Sequence, residues 1–145
     1  MNKGFVAKVS ISVNAPVAKV WDALVNPQVI RQYMFGTQVE SEWKEGAPIV
    51  WKGVWKGKRY EDRGVILKLE AGHILQYSHF SPLPGLPDSP ENYHTVTVKL
   101  IAKSNRTLLS LSQDNNPTED VRDHSERNWE KMLSSIKKLL EDKKT

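Results

Sequence analysis

The stretch "TEDVRDHSERNWEKMLSSIKKLLED", residues 118–142, limits most severely what this chain can fold into. At helical spacing Val121, Trp129, Met132, Leu133, Ile136, Leu139 and Leu140 fall within about a third of the circumference. Such a helix owes its stability to whatever covers the stripe rather than to its own propensity. The rest of the chain must therefore supply an apolar face long enough to cover it.

Most of what precedes the helix has a period of two. From Phe5 to Val13 the odd positions are Phe, Ala, Val, Ile and Val, with Lys8, Ser10 and Ser12 between them; this predicts a half-buried strand. "NAPVAKVWDALVNP" predicts a short helix, with Asn14 as its cap and Pro16 in its first turn. Val17, Val20, Trp21 and Leu24 share one face of it, and Asn26-Pro27 ends it. "QVIRQYMF" predicts a second short helix stopping near Gly36. Six strands are then expected, at 37–43, 49–56, 58–69, 73–79, 93–102 and 107–113, most of them separated by turn residues. Strands joined this tightly form an antiparallel meander. The expected class is α+β: one domain over residues 1–145, its curved antiparallel sheet wrapped around the last helix.

Composition removes several classes of function. There is no cysteine, which excludes disulfides and thiol catalysis and fits a cytoplasmic location. No apolar run approaches the ~20 residues of a membrane span, and "MNKGFVAKVSISV" lacks a signal peptide's apolar core. The net charge of +4 is modest. "WKGVWKGKRY" interleaves aromatic and basic residues, but alternation puts Trp51 and Trp55 opposite Lys52, Lys56 and Lys58. A stacking platform for nucleic acid needs both on one surface, so no nucleic-acid partner is expected. Glu61 and Asp62 are neighbours on a strand and face opposite ways, so they cannot act as a carboxylate pair. No nucleophile elbow or glycine-rich phosphate loop occurs. His79 and His94 could hold a metal or serve as acid and base, but spacing supplies no third ligand. No catalytic residue, metal or cofactor is assigned.

Three segments carry a likeness: "APVAKVWDALVNPQVIRQY", "HTVTVKLIAKSNRTLLSLSQDN" and "HSERNWEKMLSSIKKLLE". With the strand order they cover nearly the whole chain. On them the chain resembles the helix-grip (START-like, birch-pollen-allergen-like) superfamily. Within it, the chain is similar to stand-alone domains like the C-terminal domain of the activator of the heat-shock protein 90 ATPase. Asn128 stands where many members carry glycine. The resemblance implies a helix-grip fold with a cavity between sheet and helix. It also implies, as the other reading, a co-chaperone-like module that binds a protein partner.

The remaining landmark is "HFSPLPGLPDSPENYH", residues 79–94, which holds four of the eight prolines. Both ends are expected to be paired strand, so a stiff rim or lid is expected rather than a linker. Its apolar residues Phe80, Leu83 and Leu86 would cover a mouth shared with the 33–36 segment, Phe35 included. Below it, alternation turns Trp51, Gly53 and Trp55 inward, with Leu75, Tyr77 and His79 on one strand and His94 and Val96 on another. Gly53 between two tryptophans leaves a gap, filled by another side chain or left as part of a pocket. The helix contributes Val121, Ser125 and Trp129. The expected ligand is small and apolar or aromatic, its polar end oriented by Tyr77, His79, His94 and Ser125.

Overall fold

The computed structural model describes residues 4–34, 36–81, 85 and 87–141; for Trp55 the backbone alone is described. Phe35, Leu83 and Leu86 therefore lie outside the described residues. The elements follow in the order β1 (Phe5–Val13), α1 (Val17–Val25), α2 (Pro27–Tyr33), β2 (Gln38–Ser41), β3 (Pro48–Trp55), β4 (Lys58–Glu70), β5 (Ile74–His79), β6 (His94–Lys103), β7 (Arg106–Asn116) and α3 (Glu119–Glu141). A single 3₁₀ turn, Pro90–Asn92, precedes β6.

The seven strands form one sheet in the order β1-β7-β6-β5-β4-β3-β2, and every pairing is antiparallel. The meander predicted from residue 37 onward is therefore present, and β1 closes it by pairing with the last strand. The inward residues Ile49, Ile66, Leu75, Val98, Leu109 and Leu111 meet Val20 and Leu24 of α1, Ile30 of α2, and Leu133 and Ile136 of α3 in one buried cluster. This is the helix-grip arrangement. No helix among the described residues is long and apolar enough to cross a membrane.

Two local expectations change. Asn14 does not cap α1: Pro16 takes the cap position, with no side-chain bond. The capping asparagine is Asn26, whose Oδ1 accepts the amide of Gln28 at 3.0 Å to open α2. The apolar stripe of α3 is also shorter than its periodicity suggests. Val121 remains 40 % exposed, while beside it the Arg122 guanidinium lies 5.7 Å from the ring of the exposed Phe5 at the start of β1.

As an edge strand β1 has one row of unpaired amides and carbonyls, and α3 supplies partners for several of them. Glu126 accepts the Lys8 amide at 3.0 Å, Glu141 accepts the Asn14 amide at 2.6 Å, and Lys137 donates to the Ser12 carbonyl at 2.9 Å. The polar face of α3 thus blunts an edge that would otherwise template further strand pairing.

Candidate functional site

The turn between β3 and β4 decides which side chains reach the concave end of the sheet. Lys56 and Gly57 both have positive φ, 51° and 80°, as a two-residue primed turn requires. Trp55 then pairs with Lys58, and Gly53 falls opposite Tyr60. A Cβ built on Gly53 would lie 2.5 Å from the Tyr60 hydroxyl oxygen. The gap expected beside Gly53 is therefore occupied by the Tyr60 ring.

Tyr60 is held there from the connection after α2. Thr37 donates its hydroxyl proton to the Met34 carbonyl at 2.8 Å, so at 2.6 Å Tyr60 donates to Thr37 Oγ1. Tyr33 is buried, and its hydroxyl donates to the Ala23 carbonyl at 2.8 Å, which ties α2 to α1. On the opposite side Trp129 Nε1 donates to Gln113 at 2.6 Å, and Ser125 donates to Asn116 Oδ1 at 3.2 Å. The Asn116 side chain, fully buried, continues to the Phe5 and Gln113 carbonyls.

Between these two walls lies a vestibule of about 340 Å³, lined by Tyr33, Met34, Thr37, Val54, Tyr60, Gln113, Ser125, Asn128, Trp129 and Met132. Behind it is a small interior space of about 40 Å³, walled by Trp51, Leu75, Tyr77, Val98, Leu111 and other core residues. Tyr33, Met34 and Met132 line both spaces, so the two are separated by a phenol ring and two flexible thioether chains. A larger hollow of about 840 Å³ runs over the outer face of the sheet past Lys8, Ser10, Thr97, Lys99, Ser110 and Ser112. It is a broad polar surface with none of the apolar enclosure of a small-molecule site.

Burial pushes the hydroxyl groups of Tyr33 and Tyr77 well above the ordinary phenol range; for Tyr33 the nearby Tyr77 adds to the effect. Both are therefore neutral donors. Tyr33 has spent its proton on Ala23, whereas the Tyr77 hydroxyl has no hydrogen-bond partner among the described residues. Tyr77 is nevertheless only half-buried by surface area, and its ring packs on Trp51 at 5.1 Å between centroids. Since it lines the interior space, part of that remaining surface faces a hollow deep in the molecule.

The residues expected at the site from sequence do not all gather there. Trp51, Leu75 and Tyr77 surround the interior space, and Ser125 and Trp129 line the vestibule. Val96 is fully buried core, and Val121 lines neither space. His79 lies behind Trp51, edge-on at 4.9 Å, with Nε2 3.1 Å from Asp62 Oδ2. His94 Nδ1 donates to the Asp114 carbonyl at 2.8 Å, a bond that joins β6 to β7. Among the described residues no group of three or more histidine or acidic side chains could hold a metal ion.

Phe80 is not part of a lid. It is 2 % exposed, stacks on Tyr93 at 5.2 Å, and exchanges both backbone bonds with Arg63. The described second half of the proline loop is fastened to the same place. Asp88 accepts from Tyr93 at 2.6 Å and pairs with Arg63 at 3.2 Å, and Asn92 donates to the Pro87 carbonyl at 2.9 Å. The Asp88 bond also raises the Tyr93 phenol above its usual range.

Thr37, Val54, Tyr60, Gln113 and Met132 are lining residues that the sequence reading missed, whereas Tyr33 and Met34 belong to the 33–36 segment it placed at the mouth. For Tyr60 a signal existed, because a two-residue turn at Lys56-Gly57 fixes its register against Gly53. Thr37 and Met34 sit in an irregular connection after α2, where neither period applies.

Residues 14–141 match the model of the family "Activator of Hsp90 ATPase homolog 1-like protein". No curated protein matches the chain significantly. Among solved structures, ChR145 from Cytophaga hutchinsonii is 57 % identical; the match covers 98 % of this chain and 97 % of that one, with a TM-score of 0.87. The Aha1 dimer from Colwellia psychrerythraea is similar at 19 % identity, with 94 % and 96 % covered and a TM-score of 0.73. DynU16, from the dynemicin biosynthetic locus, is similar at 19 % identity, with 94 % of this chain and 47 % of that one covered and a TM-score of 0.77.

Proposed function

The chain belongs to the Activator of Hsp90 ATPase homolog 1-like protein family, and we propose that it is a small-molecule binding protein. Its ligand is an apolar or aromatic compound held between the sheet and α3. The observation that carries this reading is the vestibule of about 340 Å³, open to solvent and sharing Tyr33, Met34 and Met132 with the small interior space that half-buried Tyr77 lines. That volume lies within the range of about 300–1,000 Å³ usual for ligand pockets. Met34 and Met132, between the two spaces, can change rotamer at little cost and extend the vestibule inward toward Tyr77. DynU16 comes from a biosynthetic locus, which favours a small-molecule role for a fold of this shape.

Native mass spectrometry of freshly purified protein tests the reading, with titration of an apolar fluorophore as a second arm. Asn128 is exposed and lines the vestibule, so Asn128→Trp should block the opening while leaving the core intact. Fluorophore affinity is expected to fall at least ~10-fold, about 1.4 kcal/mol, with the melting temperature nearly unchanged. Equal affinity in wild type and variant would place the ligand elsewhere.

A second reading has its own observation. Val65, Leu67 and Ile101 are 39 %, 46 % and 50 % exposed, and a similar structure is that of an Aha1 dimer. An interaction module would use exposed apolar side chains of this kind. Sedimentation showing a stable dimer, together with no retained small molecule, would favour it over the cavity.

A further inference from the structure

Asn116, buried beneath the α3 wall of the vestibule, fixes the sense of the hydrogen bonds there. Its two Nδ2 hydrogens go to backbone carbonyls, those of Phe5 at 2.9 Å and Gln113 at 3.0 Å. A carbonyl only accepts, so the amide has one orientation and Oδ1 faces Ser125 as an acceptor. The Ser125 hydroxyl, 3.2 Å away, is therefore the donor. Across the vestibule the Met34 carbonyl plays the same part. It takes the Thr37 proton, which leaves Thr37 Oγ1 to accept from Tyr60. The Trp129 indole, which can only donate, has given its hydrogen to Gln113 Oε1.

On both walls the hydroxyl protons thus point inward, away from the opening. Tyr60 and Ser125 are half-buried and line the vestibule, and neither has a proton left to give. Each keeps oxygen lone pairs that can accept. The donors that remain are side-chain amides. Gln113 Nε2 is already turned to Asn116 Oδ1 at 3.3 Å, and Asn128 is exposed at the opening, where water competes for it. Among the described residues no charged side chain lines the vestibule, so an ionic group entering it would find no counter-charge.

Resting on the cavity reading above, we infer that the ligand is an uncharged compound with its own hydrogen-bond donor, an N–H or O–H, which it gives to the Tyr60 oxygen. Ser125 Oγ is the matching acceptor on the α3 wall. Tyr60 is the specificity-determining residue. Its hydroxyl oxygen lies where a Cβ on Gly53 would be 2.5 Å away, so β3 has no side chain there to cover it. A ligand of the same shape that can only accept sets its own lone pairs against those of Tyr60, and a site built to bond a donor rejects the analogue lacking it.

Indole and benzofuran share one shape, with an N–H in the first replaced by a bare oxygen in the second. Each is titrated against the whole chain as a competitor of a bound apolar fluorophore. Wild type is expected to bind indole roughly tenfold tighter, the gain typical of one hydrogen bond. Benzofuran is the more apolar, so burial alone predicts the reverse order. Tyr60→Phe should lower the preference, and Tyr60→Phe with Ser125→Ala should abolish it while leaving benzofuran affinity unchanged. Thr37→Val keeps the Tyr60 hydroxyl but frees its proton, so benzofuran should gain on indole. A purely steric role for Tyr60 predicts no such change, and this variant decides the matter if the double one fails to fold. Equal binding by wild type, a preference that survives the double variant, or failure of both compounds to displace a bound fluorophore overturns the inference and leaves the cavity reading standing. If the fluorophore does not bind either, both fall.

Discussion

Single residues fix the geometry at two places where the sheet has no room to adjust. Gly64 is buried on β4, and a Cβ there would lie 1.7 Å from the Ser78 carbonyl oxygen. That neighbour is backbone, held by the β4–β5 pairing and by the Ser78 hydroxyl accepting the Val65 amide at 2.9 Å. Gly64→Ala should therefore cost about 3 kcal/mol, the upper end of typical overpacking, read as a lowered midpoint in urea denaturation. A loss below ~1 kcal/mol would mean that the strands can separate locally without penalty. Gly53 differs in kind: the atoms in its way belong to the Tyr60 side chain, which can swing into the vestibule. The sequence showed Gly53 as a missing side chain between two tryptophans. What fills the space comes from another strand, and only the register across the turn reveals it.

At the scale of elements, α3 both covers the core and closes the β1 edge, and the second role carries a pH signature. Glu141 bonds Lys137 at 2.7 Å and the Asn14 amide at 2.6 Å. The Lys137 bond first, and then the Asn14 amide, hold its carboxyl below the usual range. A carboxyl depressed in the folded state contributes stability that is present above the unfolded-state pKa, about 4.3 for Glu, and lost as pH falls through the lower folded value. Glu141→Gln should accordingly have a lower melting temperature than wild type at neutral pH. The gap should shrink as pH falls below that unfolded-state value and close once wild-type Glu141 has taken up its proton in the folded state. A gap that persists unchanged at low pH would show that the carboxylate does not fasten this edge. The apolar stripe made α3 legible in the sequence, but no pattern there assigned a role to its polar face. Glu126, Glu141 and Lys137 each reach partners more than a hundred residues away in the chain, beyond any local pattern.

For the whole molecule, the order and number of strands, the two short helices and the long final helix follow from two periodicities and a set of turn residues. These signals are local and repeated, which is why they were legible. The site is legible only in part. Trp51, Leu75 and Tyr77 sit on regular strands, where alternation tells inside from outside. Thr37, Met34 and the anchored Phe80 sit where the chain leaves regular structure, and there tertiary contacts alone decide direction. The central claim is that the space between sheet and α3 takes a ligand, with Met34 and Met132 at the boundary of its two parts. The chain contains three methionines, so the protein labelled at its methionine methyl groups has at most three such signals. Titration with an apolar fluorophore, followed by methyl NMR, is expected to move two of these signals, those of Met34 and Met132, together along one saturable curve. Saturation by the probe with both internal methyl signals unmoved would contradict the account.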